Sequence, residues 1–191
     1  MRLIVGLGNP GREYRDTRHN AGFMLANRLA DRWRASWRLE AKFQGEVAEG
    51  RREGDRLIFC KPSTYMNASG ESVAKVAGFY RVDAGNVLIL VDDADLPLGS
   101  IRLRADGSPG GHHGLESVER HLGTRMYPRL KLGIARPQTG GRDIANYVLE
   151  KFSDEELPLW EKSISRAEAQ VECWLGDGIA KAMSLYNGKV E

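Results

Sequence analysis

The chain has 191 residues, of which 41% are hydrophobic and 28% are charged, and its formal net charge is +2. This composition excludes a disordered chain, and no apolar run approaches the roughly 20 residues of a membrane-spanning helix. The first residues lack the apolar core of a signal peptide, and the two cysteines, Cys60 and Cys173, lie far apart in the chain. We therefore expect a cytoplasmic protein whose residues 1–191 form one domain without a disulfide framework.

Strand and helix patterns alternate along the chain, with no repeat and no low-complexity segment. Short apolar runs predict strands, and apolar residues three or four positions apart predict helices. In chain order, we expect a strand at residues 2–7, a helix at 21–33, a hairpin at 42–62, a helix at 67–82, strands at 86–91 and 100–104, a short helix at 115–123, a strand at 129–134 and a long helix after 153–156. This alternation predicts an α/β fold: a single domain with a twisted, mostly parallel mixed sheet, one antiparallel hairpin and helices on both faces.

Two helix starts carry recognisable capping residues. Asn67 or Ser69 is in position to cap the helix at 67–82, because short polar side chains accept backbone N–H groups there. Ser153 and Glu156 have the spacing of a capping box before the last helix. We therefore expect both helices to begin at these side chains.

The stretch GLGNPG, residues 6–11, fits the spacing of a dinucleotide-binding turn. Such a turn opens directly into a helix, whose first N–H groups hold the pyrophosphate. Here the glycines lead into REYRDTRHN, which is charged and lacks an apolar stripe, and the predicted helix begins only near Asn20. The sequence therefore favours a glycine-hinged loop at the carboxyl end of a strand, the place where open α/β sheets bind ligands, over a cofactor site.

His19 in this loop and Asp92 after the buried run 86–91 are the main candidates for chemistry. A carboxylate that accepts Nδ1–H holds an imidazole in one tautomer and leaves Nε2 free to take a proton from water. His19 and Asp92 could form that pair. On spacing alone, a loop histidine is more often structural, and acidic loops are ordinary turns.

Other kinds of chemistry have less support in the sequence. The run DDAD, Asp92–Asp95, offers oxygen ligands suited to magnesium, whereas the four histidines lack zinc spacing. No G-x-S-x-G elbow is present, and neither cysteine lies in a glycine-rich or basic turn. We therefore expect no metal, no cofactor and no covalent nucleophile.

The segment GSPGGHHG, residues 107–114, precedes the short predicted helix, and we call it the glycine loop. Its backbone N–H groups could bind a phosphate or a carbonyl oxygen, or its glycines could merely turn the chain. Basic residues lie on the two flanking strands: Arg102, Arg104, Arg129 and Lys131. Alternating basic residues on neighbouring strands can share one face and bind phosphate, or can form only the solvated side of an antiparallel pair.

Several long motifs occur in order between Leu3 and about Leu185. They are LIVGLGNPG..Y..TRHNAG, KP.TYMN.SG, DD.DLPLG, PGGHHGL and RLKLGIARP. In these motifs the chain resembles the bacterial-type peptidyl-tRNA hydrolases. The resemblance implies a monomeric, metal-independent α/β esterase without a cofactor. It also implies the reaction: cleavage of the ester between a peptide and the 3′ ribose of tRNA, which recycles peptidyl-tRNA dropped by ribosomes.

The resemblance implies roles for individual catalytic residues. His19 is similar to the family's general base, and Asp92 to the carboxylate that keeps this base effective. Asn9 and Asn67 match amides that bind the peptide backbone and help to place the water molecule.

The resemblance also implies residues that bind the tRNA end. Tyr14 and Tyr65 match positions that contact the 3′ end, and Met66 matches an apolar wall of the cleft. Arg104 and Lys131 resemble the basic pair that meets the 5′ phosphate of the tRNA.

One position departs from the family pattern. The family usually has G-G-H-N-G in the glycine loop, whereas this chain has His113 in place of the asparagine. We include His113 among the substrate-binding residues, because a neutral imidazole offers one donor and one acceptor, as a carboxamide does, in a different geometry.

Two other functions fit parts of the same sequence. A non-catalytic RNA-binding relative would keep the surface and lose the base or its partner, yet both residues are present. A metal-dependent phosphoesterase would be sensitive to chelators. Incubation with a blocked aminoacyl-tRNA, with and without chelator, separates these possibilities.

Overall fold

The computed structural model describes residues 1–136 and 143–190. Its strands are β1 (Arg2–Gly6), β2 (Arg38–Glu40), β3 (Gly45–Arg52), β4 (Asp55–Pro62), β5 (Val87–Asp93), β6 (Ser100–Arg104), β7 (Arg129–Gly133) and β8 (Gly188–Lys189). Its helices are α1 (Ala21–Arg32), α2 (Ser69–Tyr80), α3 (His113–Leu122), α4 (Ile144–Tyr147), α5 (Leu157–Asp177) and α6 (Ile179–Tyr186). None of these helices is both long and apolar enough to cross a bilayer. Pro137, the last residue of the RLKLGIARP motif, lies outside the described residues.

In the described part of the chain, the strands form one sheet in the order β2-β3-β4-β1-β5-β7-β6-β8. Strands β4, β1, β5 and β7 run parallel at its centre. The predicted hairpin is present as the antiparallel pair β3 and β4, and β2 extends it. Antiparallel pairing also occurs at the opposite edge, where β6 pairs with both β7 and β8.

Helices cover both faces of the sheet, because its central strands are apolar on both sides. Ile4 of β1 belongs to the core shared with α1 and α5, whereas Leu3 and Val5 belong to the core shared with α2 and α3. Successive side chains of a strand point to opposite faces, so the continuous apolar run of β5 contributes to both cores. The predicted α/β fold, a mixed sheet with helices on both faces, is confirmed.

The glycines of the GLGNPG stretch allow α1 to pack directly on the sheet. A Cβ atom on Gly6 would overlap the carbonyl group of Gly22, in the first turn of α1. A Cβ atom on Gly22 would in turn overlap the carbonyl oxygen of Leu90 in β5. Close approach between helix and strand therefore explains these two positions without a bound pyrophosphate.

The two predicted helix starts have different outcomes. Asn67 lies in a short 3-10 turn, and the Ser69 hydroxyl donates to the Met66 carbonyl at 2.8 Å. Neither side chain caps α2, so that prediction is wrong. Before α5, Glu156 Oε2 accepts the Ser153 N–H at 2.7 Å, which is the half of a capping box in which the carboxylate reaches back.

The C-terminal part of the chain contains two helices instead of the one predicted. Gly178, with a φ of 90°, separates α5 from α6. After α6, the side chain of Asn187 accepts the Leu103 N–H at 2.7 Å and donates to the Leu103 carbonyl at 3.1 Å. Together with β8, Asn187 covers the backbone of the edge strand β6, which would otherwise be open to pairing with another chain.

Candidate active site

Loops that follow parallel strands meet at one edge of the sheet, because β1, β5 and β7 all end there. The loop after β1 carries Asn9 and His19, and β5 ends at Asp92 and Asp93. These residues, the glycine loop before α3 and the region of α4 line a cleft of about 570 Å³. Polar groups that are far apart in the sequence therefore share one cavity.

His19 lies in a 3-10 turn immediately before α1. Its Nδ1 atom is 3.0 Å and 3.1 Å from the two carboxylate oxygens of Asp92. The His19 side chain is 16% exposed, and that of Asp92 is 3% exposed. The Nδ1–H group donates to the carboxylate, and Nε2, which has no protein partner among residues 1–136 and 143–190, is free to accept a proton.

A second imidazole, that of His112, also binds Asp92 and is absent from the predicted site residues. Its Nε2 atom lies 3.0 Å from Asp92 Oδ1. Its Nδ1 atom caps α3 by accepting the backbone N–H groups of Gly114 and Leu115 at 3.1 and 3.4 Å. A nitrogen that accepts carries no proton, so neutral His112 holds its proton on Nε2 and donates it to Asp92. Its position directly before a predicted helix is the signal that could have identified it.

These two donors keep Asp92 ionised inside the protein. Burial by itself would raise the pKa of the Asp92 carboxyl group. The charges and hydrogen bonds of His112 and His19 outweigh burial and hold that pKa well below its usual range. Asp92 therefore remains an anion in neutral and mildly acidic solution, where it would stabilise a protonated His19.

His19, Asp92 and His112 place possible ligand atoms within 4.8 Å of one another, which raises the question of a metal ion. Ligation through His112 Nε2 would move the ring proton to Nδ1, where it would face the N–H groups of Gly114 and Leu115. Two uncommitted ligands would remain, whereas zinc sites in proteins use three or four. The hydrogen bonding of His112 therefore disfavours a resident metal at this cluster.

The side chain of Asn9 has a defined orientation in the cleft. Its Oδ1 atom accepts the Met66 N–H at 2.8 Å, so its NH₂ group is left to donate to a ligand. The Asn9 backbone is held by the buried Asn20, which accepts from the Asn9 N–H and donates to the Asn9 carbonyl, both at 2.9 Å. These two hydrogen bonds hold the Asn9 backbone in a fixed position relative to Asn20 and therefore to His19, which precedes Asn20 in the chain.

Apolar side chains form one wall of the cleft. They come from α4 and the residues after it, namely Ile144, Ala145, Val148 and Leu149. The His19 N–H donates to the Val148 carbonyl at 2.8 Å, so this apolar wall is attached to the loop that carries the imidazole. The cleft thus combines a candidate base with a surface suited to hydrophobic groups.

The loop after β4, residues 63–68, packs against the glycine loop and does not line the cleft. Met66 is buried, and a Cβ atom on Gly114 would lie 2.6 Å from its sulfur atom. Tyr14, Tyr65 and Asn67 do not line the cleft, and Tyr65 is 64% exposed. Exposed aromatic and amide groups beside the cleft remain available to a ligand that extends beyond it.

The predicted basic pair lies on two neighbouring strands. Lys131 lines the cleft, and its Nζ atom is 2.9 Å from Asp93 Oδ2. Arg104 is exposed on β6 and pairs in register with Arg129, while Lys131 pairs with Arg102. Arg104 and Lys131 are therefore diagonal neighbours, about 7–8 Å apart at the backbone, with their side chains on the same face.

Arg129 does not belong to a solvated basic surface, so the interpretation of the four basic residues as one solvated side is wrong for Arg129. Its side chain is buried and donates to the carbonyl groups of Gly107, Ser108, Arg125 and Tyr127. A buried guanidinium requires such partners. Arg129 therefore anchors the beginning of the glycine loop instead of facing a phosphate.

His113 lies at the rim of the cleft, and its side chain is 76% exposed. Its Nδ1 atom is 3.1 Å from Glu116 Oε2 on the next turn of α3. Because a carboxylate only accepts, Nδ1 carries the proton, and a neutral His113 offers Nε2 as an acceptor. An asparagine, which the family that this chain resembles usually has at this position, would offer a donor in addition to an acceptor.

Comparisons with known proteins agree with the family resemblance that the sequence motifs indicate. The family model described as peptidyl-tRNA hydrolase matches residues 3–191. The chain is 48% identical over 188 residues to a peptidyl-tRNA hydrolase of Synechocystis sp. (strain ATCC 27184 / PCC 6803 / Kazusa), a match that covers 98% of this chain and 96% of that protein. It is 47% identical over 187 residues to that of Synechococcus sp. (strain JA-3-3Ab), covering 98% and 83%.

A solved structure is similar over the whole chain. The crystal structure of peptidyl-tRNA hydrolase from Acinetobacter baumannii superposes with a TM-score of 0.93 at 37% sequence identity, covering 100% of this chain and 96% of that one. The fold, the order of the motifs and the extent of these matches lead to one conclusion. The chain belongs to the peptidyl-tRNA hydrolase family.

Proposed function

We propose that this protein hydrolyses the ester that joins a peptide to the 3′ end of tRNA, releasing the peptide and recycling the tRNA. Membership of the family supports the substrate. The single observation that carries the chemistry is the pair formed by His19 and Asp92 at the cleft. Ester hydrolysis at neutral pH needs a base that activates water, and an imidazole oriented by a carboxylate meets this need.

In the proposed reaction, His19 Nε2 takes a proton from water as the water oxygen attacks the ester carbonyl carbon. Asp92 holds the Nδ1–H group and stabilises the imidazolium that forms. The imidazolium then returns the proton to the 3′ oxygen of the tRNA ribose as the ester bond breaks. The peptide leaves with a free carboxyl group, and neutral His19 is restored.

The remaining predicted site residues bind the two parts of the substrate in this proposal. The NH₂ group of Asn9 donates to a carbonyl of the peptide, and Asn67 helps to bind the peptide backbone and to place the water. Tyr14 and Tyr65 contact the 3′ end of the tRNA. Met66 is buried against Gly114 and supports the glycine loop. The exposed edge of His113 contributes an acceptor at the rim.

We extend the proposal to an enzyme that needs no metal and no cofactor and acts as a monomer in the cytoplasm. The proton position on His112 supports the absence of a metal, as argued above. Cys60 and Cys173 are free and buried, which fits a reducing compartment. The monomer is proposed on the resemblance alone.

The test is incubation of the protein with diacetyl-lysyl-tRNA, with and without chelator, scored by the release of free tRNA. We expect release in both samples. Binding of tRNA without release would favour a non-catalytic RNA-binding protein, and loss of release with chelator would favour a metal-dependent esterase.

Asn9 is expected to favour substrates whose α-nitrogen is blocked, because its NH₂ donor binds an amide carbonyl and faces a free ammonium unfavourably. Asn9→Asp keeps an acceptor for the Met66 N–H but replaces the donor in the cleft with a carboxylate oxygen. Loss of one such bond, about 1–2 kcal/mol, should lower kcat/KM on blocked aminoacyl-tRNA by roughly 5–30-fold.

The measurement is kcat/KM on blocked and on free aminoacyl-tRNA for the parent, Asn9→Ala and Asn9→Asp. The ratio of blocked to free should fall in both variants and fall further in Asn9→Asp, whose carboxylate attracts the ammonium. If the three proteins share the same ratio, Asn9 is not the residue that discriminates.

Arg104 is expected to act on tRNA affinity and not on the chemical step. Arg104→Ala should raise KM, leave kcat nearly unchanged and reduce the slope of log affinity against log salt by about 1, because one phosphate contact is lost. Lys131→Ala should behave similarly. The matched control is Arg51→Ala, because Arg51 is exposed near the end of β3, on the opposite side of the sheet from β6. A fall in kcat at an unchanged salt slope would place Arg104 in the reaction itself.

A further inference from the structure

Arg18 lies next to His19, yet its side chain points into the segment that follows α4. The side chain is only 6% exposed and does not line the cleft. A guanidinium at this depth needs partners for its charge and its N–H groups; within the described residues Arg18 has hydrogen-bond partners at both terminal nitrogens, whereas its buried Nε has none. The partners of Arg18 therefore show what this residue is built to hold.

Those partners come from both sides of the short segment between α4 and α5. Arg18 donates to both carboxylate oxygens of Glu156, at 3.1 Å and 2.9 Å. The guanidinium carbon lies 4.5 Å from the ring centre of Tyr147 and 4.8 Å from that of Phe152. Two-pronged binding to a carboxylate combined with aromatic stacking is specific to arginine, since a lysine ammonium provides neither geometry.

The backbone of the same segment is attached to the same loop. The Arg18 N–H donates to the Glu150 carbonyl at 3.0 Å, and the His19 N–H donates to the Val148 carbonyl at 2.8 Å. Val148 belongs to the apolar wall of the cleft, together with Ile144 and Leu149. The backbone of His19 thus binds the apolar wall at Val148, and the backbone of Arg18 binds the chain just beyond the wall at Glu150.

Glu156 is available for this interaction at neutral pH. Burial alone would raise the pKa of its carboxyl group, but the hydrogen bonds from Arg18 and Ser153 lower that pKa overall. Glu156 also lies directly before α5, so the pair connects the His19 loop to a helix of 21 residues. The long helix provides a fixed point against which the apolar wall is held.

We propose that Arg18 is a positioning residue: through Glu156, Tyr147 and Phe152 it holds the apolar wall in register with His19. This inference rests on the proposed function and adds that the apolar wall receives the acyl part of the ester. If the wall shifts, a large acyl group no longer presents its carbonyl to His19, whereas a small acyl group depends little on the wall. Arg18 therefore sets the rate for bulky substrates.

The test compares Arg18→Lys and Glu156→Gln on two substrates, N-acetyl-leucyl-tRNA and N-acetyl-glycyl-tRNA. A misplacement of about 1 Å can cost on the order of 100-fold, so we expect kcat/KM on the leucyl substrate to fall by about 10–100-fold. The loss on the glycyl substrate should be clearly smaller. Equal losses on both substrates, or no loss on either, would overturn the proposal.

The matched control is Arg28→Lys, because Arg28 in α1 binds Glu161 and Glu168 of α5 at 3.0 Å without reaching the cleft. This variant should leave the ratio of the two substrates unchanged. A similar change of ratio in Arg28→Lys would show that any loosening of α5 has the same effect, which contradicts a specific role of Arg18.

Hydrogen exchange gives a readout that does not depend on activity. Amides of residues 144–152 should exchange faster in Arg18→Lys and Glu156→Gln than in the parent, while amides of α1 should not change. If the parent cleaves neither substrate, the proposed function fails, but the exchange result still decides whether Arg18 holds the wall. Unchanged exchange of residues 144–152 in both variants would refute that role.

Discussion

Replacement of His19 by alanine is expected to abolish ester hydrolysis while tRNA binding persists. A positioned base typically contributes about 10²–10⁴-fold, and among the described residues of the cleft only His19 has a free imidazole nitrogen beside a buried carboxylate, because His113 at the rim pairs with the solvent-accessible Glu116. Binding should survive because the tRNA contacts proposed for Arg104 and Lys131 do not involve His19. The measurement is single-turnover cleavage of a blocked aminoacyl-tRNA beside a direct tRNA-binding assay.

The fold of the His19→Ala variant should be retained, since the backbone bond from residue 19 to Val148 does not require the imidazole. Thermal unfolding of parent and variant therefore serves as the control. A folded His19→Ala protein that cleaves the ester at a near-parental rate would rule out His19 as the base.

Replacement of Asp92 by asparagine is expected to have the second largest effect, because it forces the wrong tautomer on His19. His112 can only donate through Nε2, so the new amide must turn its oxygen toward His112. Its NH₂ group then occupies the position of Oδ2, 3.0 Å from His19 Nδ1, and donates to that atom. His19 would hold its proton on Nε2 and could not accept one from water. We expect turnover to fall by about 10²–10⁴-fold.

A double-mutant cycle tests this tautomer argument directly. In a His112→Ala background the amide is free to turn its oxygen toward His19, so Asp92→Asn should cost a smaller factor in turnover than it costs in the parent. The four proteins are compared by single-turnover kinetics at one pH. An equal factor in the two backgrounds would show that His112 does not control the orientation of residue 92.

Local patterns were sufficient to predict the elements that place the main pair of the site. The apolar run of β5 predicts a strand buried on both faces, and the charged stretch after GLGNPG predicts a loop in place of a nucleotide-binding helix. Parallel strands end at the same edge, which allows His19 and Asp92 to pair, and the resemblance to the family favours this pairing; His19 Nδ1 lies 3.0 Å from Asp92 Oδ2. The resemblance to the family added roles for residues such as Asn9, whose orientation follows from its bond to Met66.

Other features depend on contacts between distant residues, which leave no periodic signal in the chain. His112 was missed because its importance comes from binding a helix N-terminus and Asp92 at once. Arg129 looks like a surface residue in an alternating strand, but a loop folds over it and its carbonyl groups accept the guanidinium. The four residues of α4 are too few to show helical periodicity.

The amino-acid sequence alone was therefore enough for the strands other than β2 and β8, for the main helices and for the family, whose motifs select the pair of His19 with Asp92. These follow from side-chain periodicity, from the topology of parallel strands and from long motifs. Proton positions on His112, the burial of Arg129 and the attachment of the apolar wall through Arg18 follow only from the folded chain. The physical reason is that hydrogen-bond partners and burial are set by which distant segments pack together, not by the residues next in sequence.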